Sequence, residues 1–176
     1  MGRQTACNLG LQDCGFLQPG LHLHLLLHLH LQVVVTGSDD HTVKVWSGGE
    51  CRATLHYQSP VMTVAWHHQD LGKLLVAQKA GVVQLVNSAS LQPILSVDCG
   101  VSPLLAADWC ASNSLLLAAA VSMELVQFDL SRPSVAAGRR AVHSEGARLV
   151  RWSRGTDQLV ATAGRPGNCL KVALAD

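Results

Sequence analysis

From Val33 onward the chain is written in short apolar runs, each closed by a polar turn. Val33-Val34-Val35-Thr36 is a β-branched run, and Val43, Val45 and Trp46 form a second one. Gly37-Ser38-Asp39-Asp40-His41 stands between them. Alternating apolar runs around a Gly/Ser/Asp cluster predict strand, tight turn, strand. Asp suits the turn because its carboxylate accepts backbone N–H bonds two residues further on. Trp46 brings an indole N–H that needs an acceptor wherever the ring is buried.

The pattern then recurs with a fixed period. Trp66, Trp109 and Trp152 lie 43 and 43 residues apart. Each is predicted to end a strand, over 62–66, 105–109 and 148–152. Val64, Ala107 and Val150 precede them by two positions, which puts each on the same strand face as its Trp. After each Trp comes a polar turn and an apolar strand over 74–77, 115–121 or 159–163. A third strand follows over 82–86, 125–128 or 170–174, and 93–97 reads as an outer, fourth strand. Short strands in groups of four, repeating every 40–45 residues, are the mark of β-propeller blades. A β-sandwich also has frequent turns, but it offers no reason for a 43-residue Trp repeat.

In this reading the fold is all-β, an incomplete propeller over 32–176. It has the inner part of one blade at 32–47, fuller blades at about 51–87 and 94–130, and most of another at 141–176. Closed propellers have about four to eight blades, and closure protects their strand edges. The chain is therefore expected to leave two blade flanks open.

Residues 1–31 do not carry the period. Residues 21–31 run Leu-His-Leu-His-Leu-Leu-Leu-His-Leu-His-Leu, a low-complexity segment. On a helix His24 and His28 would stand four apart, a spacing that suits a metal, but no carboxylate or Cys lies nearby to complete a site. The segment is read as a weakly structured arm outside the fold. Its apolar stretch is interrupted by histidines and falls short of the roughly 20 residues of a spanning helix. Only Arg3 precedes it as a positive charge and no small-residue cleavage site follows, so it does not read as a secretory signal.

Composition narrows the chemistry. With 48% hydrophobic and 14% charged residues the chain has the material for a core, which argues against disorder. At net charge +1, with no Lys/Arg run, it has no footprint for direct nucleic-acid binding. None of the six cysteines forms a C-x-x-C pair, so free thiols in a reducing compartment are expected. There is no Gly-x-Ser-x-Gly elbow and no phosphate-cradling glycine run. His67 and His68 are neighbours on a strand end and point to opposite faces, which is wrong for a shared metal. His41, His56 and His143 are read as single, solvated histidines. No catalytic residue, cofactor site or metal site is expected.

Two resemblances then give names to these positions. Asp40, Thr42 and Trp46 stand where a WD-repeat blade has its turn Asp, its strand Thr and its closing Trp. That family's Asp and Trp belong to a buried hydrogen-bonded set with a strand Ser or Thr and a His. Ser47 departs from the signature, which has Asp there. From Thr36 to about Leu174 the chain further resembles the small WD-repeat nucleoporins of the Y-shaped outer-ring complex of the nuclear pore. The stretches that carry this include Ser38-Asp39-Asp40-His41-Thr42 with Trp46, Ser59-Pro60-Val61-Met62-Thr63-Val64-Ala65-Trp66-His67, Trp109-Cys110, Asp129-Leu130-Ser131-Arg132, and Ala161-Thr162-Ala163-Gly164-Arg165-Pro166-Gly167.

The resemblance implies a seven-bladed propeller, of which about three to four blades are present here, with residues 1–31 as a non-family arm. It implies a non-enzymatic scaffold subunit that docks to a larger nucleoporin of the outer ring and serves nucleocytoplasmic transport. No small-molecule substrate and no membrane insertion go with that role. The implied address is the nucleus, at the nuclear pore complex of the envelope, with the kinetochore as an optional mitotic one. Asp40, Thr42, Trp46, Trp66, Trp109 and Trp152 are its structural repeat positions, and the partner-binding surface is left open. Two other readings stand beside this one. The first is a generic WD-repeat adaptor, a ubiquitin-ligase substrate receptor or a histone-tail reader, which calls for an aromatic or acidic rim. Tyr57 and Phe128 are few for that. The second is a metal-dependent enzyme using the His-rich arm, which retention of zinc through purification would reveal.

Overall fold

Among the described residues four antiparallel sheets, each a simple meander, follow one another along the chain. A computed structural model describes residues 23–28, 33–67, 70, 72–166 and 169–174, with side chains from Val33 onward. The first sheet holds β1 (Leu23–His28), β2 (Val33–Ser38), β3 (Thr42–Ser47) and β4 (Glu50–His56). The second holds β5 (Val61–Trp66), β6 (Lys73–Gln78), β7 (Val82–Asn87) and β8 (Pro93–Asp98). The third holds β9 (Leu104–Trp109), β10 (Leu116–Val121), β11 (Glu124–Asp129) and β12 (Ala136–Ala141). The fourth has three strands, β13 (Ala147–Trp152), β14 (Leu159–Gly164) and β15 (Cys169–Leu174).

The central pair of strands has one register throughout. Val33 faces Ser47, Lys73 faces Asn87, Leu116 faces Asp129, and Leu159 faces Leu174. Because side chains alternate, this shared register sends equivalent residues to equivalent faces in all four sheets. The turns that fix it are short. In the first two sheets the turn N–H bonds back across three residues, His41 N to Ser38 O at 3.2 Å and Gly81 N to Gln78 O at 3.0 Å. Both residues are left-handed, with φ of 68° at His41 and 100° at Gly81. Gly meets that demand without a Cβ penalty, whereas His41 carries one.

Sheets stack face to face in chain order, and the apolar runs supply the glue. Val35 and Val43 meet Val64, Leu74, Val76 and Val86 between the first and second sheets. Leu75, Val83 and Leu85 meet Leu117, Val126 and Phe128 between the second and third. Ala118, Ala120 and Leu125 meet Val150 and Val160 between the third and fourth. Strands β5, β9 and β13 lie side by side at the inner ends of their sheets, with β1 alongside β5. Backbone bonds reinforce the seams: Leu104 N donates to Lys79 O at 2.9 Å, and Ala147 N to Ser122 O at 2.8 Å. Gly37 shows how close the packing is, since a Cβ there would sit 2.6 Å from Val61 Cγ1. No buried cluster joins the fourth sheet to the first, so the array stays open among the described residues.

Two expectations change at this level. The fold does not begin after residue 31, because β1 pairs with β2 from Leu23↔Ser38 to His28↔Val33. The strand alternation of the Leu-His segment is used in place of its helical alternative. Residues 1–22 and 29–32 lie outside the described residues. The blade limits also shift by one strand. Glu50–His56 closes the first sheet, rather than opening a blade at 51, and Pro93–Asp98 closes the second. The sequence repeat runs from an outer strand to the next three, whereas each sheet runs from inner strand to outer.

Candidate functional site

Asp40 works at the turn between β2 and β3. Its Oδ1 accepts the Thr42 N–H at 2.9 Å and the Thr42 hydroxyl at 2.6 Å, while the Asp40 N–H donates to Ser38 Oγ at 3.3 Å. Partial burial pushes the Asp40 carboxyl up, but the two Thr42 bonds, the Ser38 bond and the charge of Lys44 outweigh it and hold it below the ordinary carboxylate value. Asp40 is exposed, so this set opens to solvent instead of being buried as expected. Thr42 beneath it is buried. Trp46 does not join the Asp40 bonds. Its indole N–H donates to Thr36 Oγ1 at 3.0 Å, across the β2–β3 pair.

The fourth sheet carries the other half of such a set. His143, in the connection before β13, is only 3% exposed, and its Nε2 lies 3.1 Å from Thr162 Oγ1 on β14. His143 is thus not solvated, contrary to the sequence reading. The register makes Thr162 the equivalent of Thr36, each being fourth in the second strand of its sheet. The Trp46 equivalent is Ala173, and Lys171 on β15 donates to Val142 O nearby. In the middle sheets the Thr36 place is taken by Val76 and Ala119, and the Trp46 place by Val86 and Phe128, all buried. The polar set is therefore split between the two end sheets, and the inner ones replace it by hydrocarbon. An apolar replacement leaves no buried polar group unpaired, which is what permits it.

Trp66, Trp109 and Trp152 each close the first strand of a sheet, β5, β9 and β13. The backbone N–H just after each ring makes an equivalent bond to the second strand. His67 N donates to Lys73 O, Cys110 N to Leu116 O, and Ser153 N to Leu159 O. The surroundings of the rings differ. Trp109 is 1% exposed and its ring meets His67 edge-on with centroids 4.7 Å apart. Its Nε1 points at Ala65 O over 3.4 Å. Trp152 is buried and donates to Asp157 O at 3.1 Å. Trp66 is half-buried.

Asp108 is a structural residue that sequence reasoning misses. From β9 its Oδ2 accepts the backbone N–H of Trp152 on β13 at 2.8 Å, a bond between sheets. A lone Asp inside the apolar run Leu104–Trp109 is the available signal. Arg139 on β12 is another. It pairs with Glu124 at 3.1 Å and donates to Cys99 O at 2.6 Å, tying the outer part of the third sheet to the end of the second.

These groups have little to offer a reaction. Thr162 beside His143 resembles a nucleophile with its base, yet Thr162 is 0% exposed, beyond reach of a substrate. Among the described residues no three His, Cys, Asp or Glu side chains are grouped so as to hold a metal ion. His24 and His28 lie on β1, which is described by its backbone alone, and His68 is outside the described residues. Cys99 is buried, and burial pushes its thiol up to about 12, far from the reactive thiolate range. Cys51, Cys99, Cys110 and Cys169 are free thiols. No helix among the described residues is long and apolar enough to cross a membrane.

Antiparallel sheets stacked in chain order, inner strands side by side, with split Asp–Thr, Trp–Thr and His–Thr bonds, define blades of a WD-repeat β-propeller. No family model matches the chain. Among individual proteins the chain is similar to the nucleoporin Nup37 of Mus musculus and of Homo sapiens, each 36% identical over 138 residues. These matches take in 77% of this chain and 42% of the relative. Nup37 of Drosophila melanogaster is 36% identical over 132 residues, 73% of this chain and 41% of the relative. Over that stretch the chain is similar to the Nup37 nucleoporins, and it spans about two fifths of the length of these curated relatives.

Proposed function

We propose that this chain is a non-enzymatic scaffold component of the outer ring of the nuclear pore, acting by protein–protein binding in pore assembly and nucleocytoplasmic transport. Its partner is a larger nucleoporin of the Y-shaped complex, and its address is the nuclear envelope. The observation that carries this reading is the 36% identity over 138 residues to proteins named nucleoporin Nup37. The chemistry agrees with a binding role. The polar bonds of the blades tie strand to strand and sheet to sheet, and the rim loops are left for contact. Propellers serve many functions, so the blades alone would not single out the pore.

Tagging the chain at its own locus tests the reading. A signal at the nuclear rim, with outer-ring nucleoporins recovered in the pull-down, is the expected result. A diffuse cytoplasmic signal and a pull-down without those nucleoporins would overturn it and favour the general adaptor role.

A further inference from the structure

The shared register lets the faces that meet between sheets be compared place by place. The last residue of each second strand and the third residue of each third strand lie on the face turned toward the preceding sheet. In the third sheet these are Val121 and Val126, both 0% exposed and packed with Leu75, Val83 and Leu85 of the second. In the second sheet they are Gln78 and Gln84. The seam between the first and second sheets accordingly opens into a groove of about 420 Å3, where the next seam is filled with hydrocarbon. Its lining includes Val82, Gln84 and Val86 of β7, Gln78 at the end of β6, and Tyr57 and Gln58 after β4. That volume is in the range of ligand sites, about 300–1,000 Å3. Gln78 is 8% exposed, yet its carboxamide makes no hydrogen bond to any described residue. A buried amide without a partner works against the fold, and native chains keep few of them. Gln84 is half-buried and spends its NH2 on Ser96 Oγ at 3.1 Å, which leaves its carbonyl to accept. Burial pushes the Tyr57 phenol up to about 12, so it stays an O–H donor. No Lys, Arg, Asp or Glu is among the lining residues.

We propose that this groove binds an uncharged, extended segment of a partner protein, with an Asn or Gln side chain of that segment paired to Gln78. A carboxamide both donates and accepts, so a second carboxamide satisfies it with two bonds, which neither a carboxylate nor an ammonium group does. An anionic or cationic segment would bury its charge with no counter-charge on the walls. Val82, Gln84 and Val86 alternate along one strand face and span about 13 Å, the reach of about four extended residues. The Gln84 carbonyl and the Tyr57 hydroxyl are then left for the peptide groups of the segment. The inference goes beyond the nuclear-pore reading and holds whichever assembly supplies the segment.

An array of short peptides, probed with the purified 176-residue chain, tests the groove. It holds uncharged peptides carrying Asn or Gln, the same peptides with those residues changed to Leu, and peptides rich in Asp and Glu or in Lys and Arg. Binding is expected from the first set alone, confirmed in solution by fluorescence polarisation of a labelled hit. Gln78→Leu keeps the bulk of the side chain and removes its amide. It is expected to weaken the hit about tenfold, while the urea midpoint stays unchanged or rises, because the fold loses an unpartnered amide. A photoreactive group on the hit is expected to cross-link to β7 and to the segment after β4. An array with no hit in the first set, or with the Leu or charged sets binding equally, overturns the proposal. So does a hit that survives Gln78→Leu or cross-links elsewhere. A lowered midpoint in Gln78→Leu overturns it too, since the amide would then serve the fold.

Discussion

Replacing Trp109 by Ala removes the largest side chain in the seam between the second and third sheets. The ring is 1% exposed and sits among Leu75, Leu85, Leu117 and Phe128, with His67 against its edge. Its one polar contact, Nε1 to Ala65 O at 3.4 Å, is long and adds little. The loss is therefore a burial and cavity cost, about 3–5 kcal/mol for a Trp truncated in a packed core. Trp152, at 6% exposed, is nearly as deeply placed and its truncation costs about the same, roughly 3–5 kcal/mol. Trp66 closes the equivalent strand but is half-buried, so Trp66→Ala costs about 1–3 kcal/mol. Sequence alone makes the three equal; burial ranks them. Urea unfolding followed by far-ultraviolet circular dichroism, at one fixed protein concentration, measures the series. A total stability of about 5–15 kcal/mol leaves room to see it. A Trp109→Ala loss below about 1.5 kcal/mol, or a Trp66→Ala loss equal to it, would refute the seam as the source of the stability.

His143→Leu strands the buried Thr162 hydroxyl and is expected to cost about 1–3 kcal/mol, while adding Thr162→Val recovers part of that, because both partners are then apolar. Recovery would show in the urea midpoints, and a strictly additive pair would mean that the 3.1 Å contact is not a coupled bond. Asp40 predicts an acid signature. Its carboxyl is held below the ordinary value in the folded chain, so its contribution is present above the unfolded carboxylate value and fades as pH falls through the lower folded one. Asp40→Asn is expected to flatten the fall in stability between about pH 5 and pH 2, read from unfolding midpoints across that range, and an unchanged slope would remove Asp40 as a contributor.

The inner and central strands are legible in the amino-acid pattern, since their apolar runs bury on both faces and announce themselves without help. Met62–Trp66, Leu74–Ala77, Val82–Val86 and Leu125–Phe128 fall within a residue of the observed limits. The 43-residue Trp interval marks the repeat because one place in every blade needs a large ring. The outer strands and the partition into sheets escape such a reading. Ala136-Ala137-Gly138-Arg139-Arg140-Ala141 has no strand signal of its own and becomes β12 because the β11 edge offers it backbone partners. Glu50–His56 reads as the start of a repeat, and only its pairing with β3 assigns it to the sheet before. The fate of the polar residues is likewise decided by packing. A single histidine in a connection carries no mark of burial, and His143 is enclosed because the fourth sheet brings Thr162 to its ring. Asp40 stays in water because it stands in a strand-to-strand turn, and the equivalent turn residues Lys79 and Ala80 of the second sheet are exposed as well. Local pattern marks which residues form strands; which neighbouring strands pair into one sheet is decided by backbone hydrogen bonding, and which faces meet is decided by packing between sheets far apart in the chain.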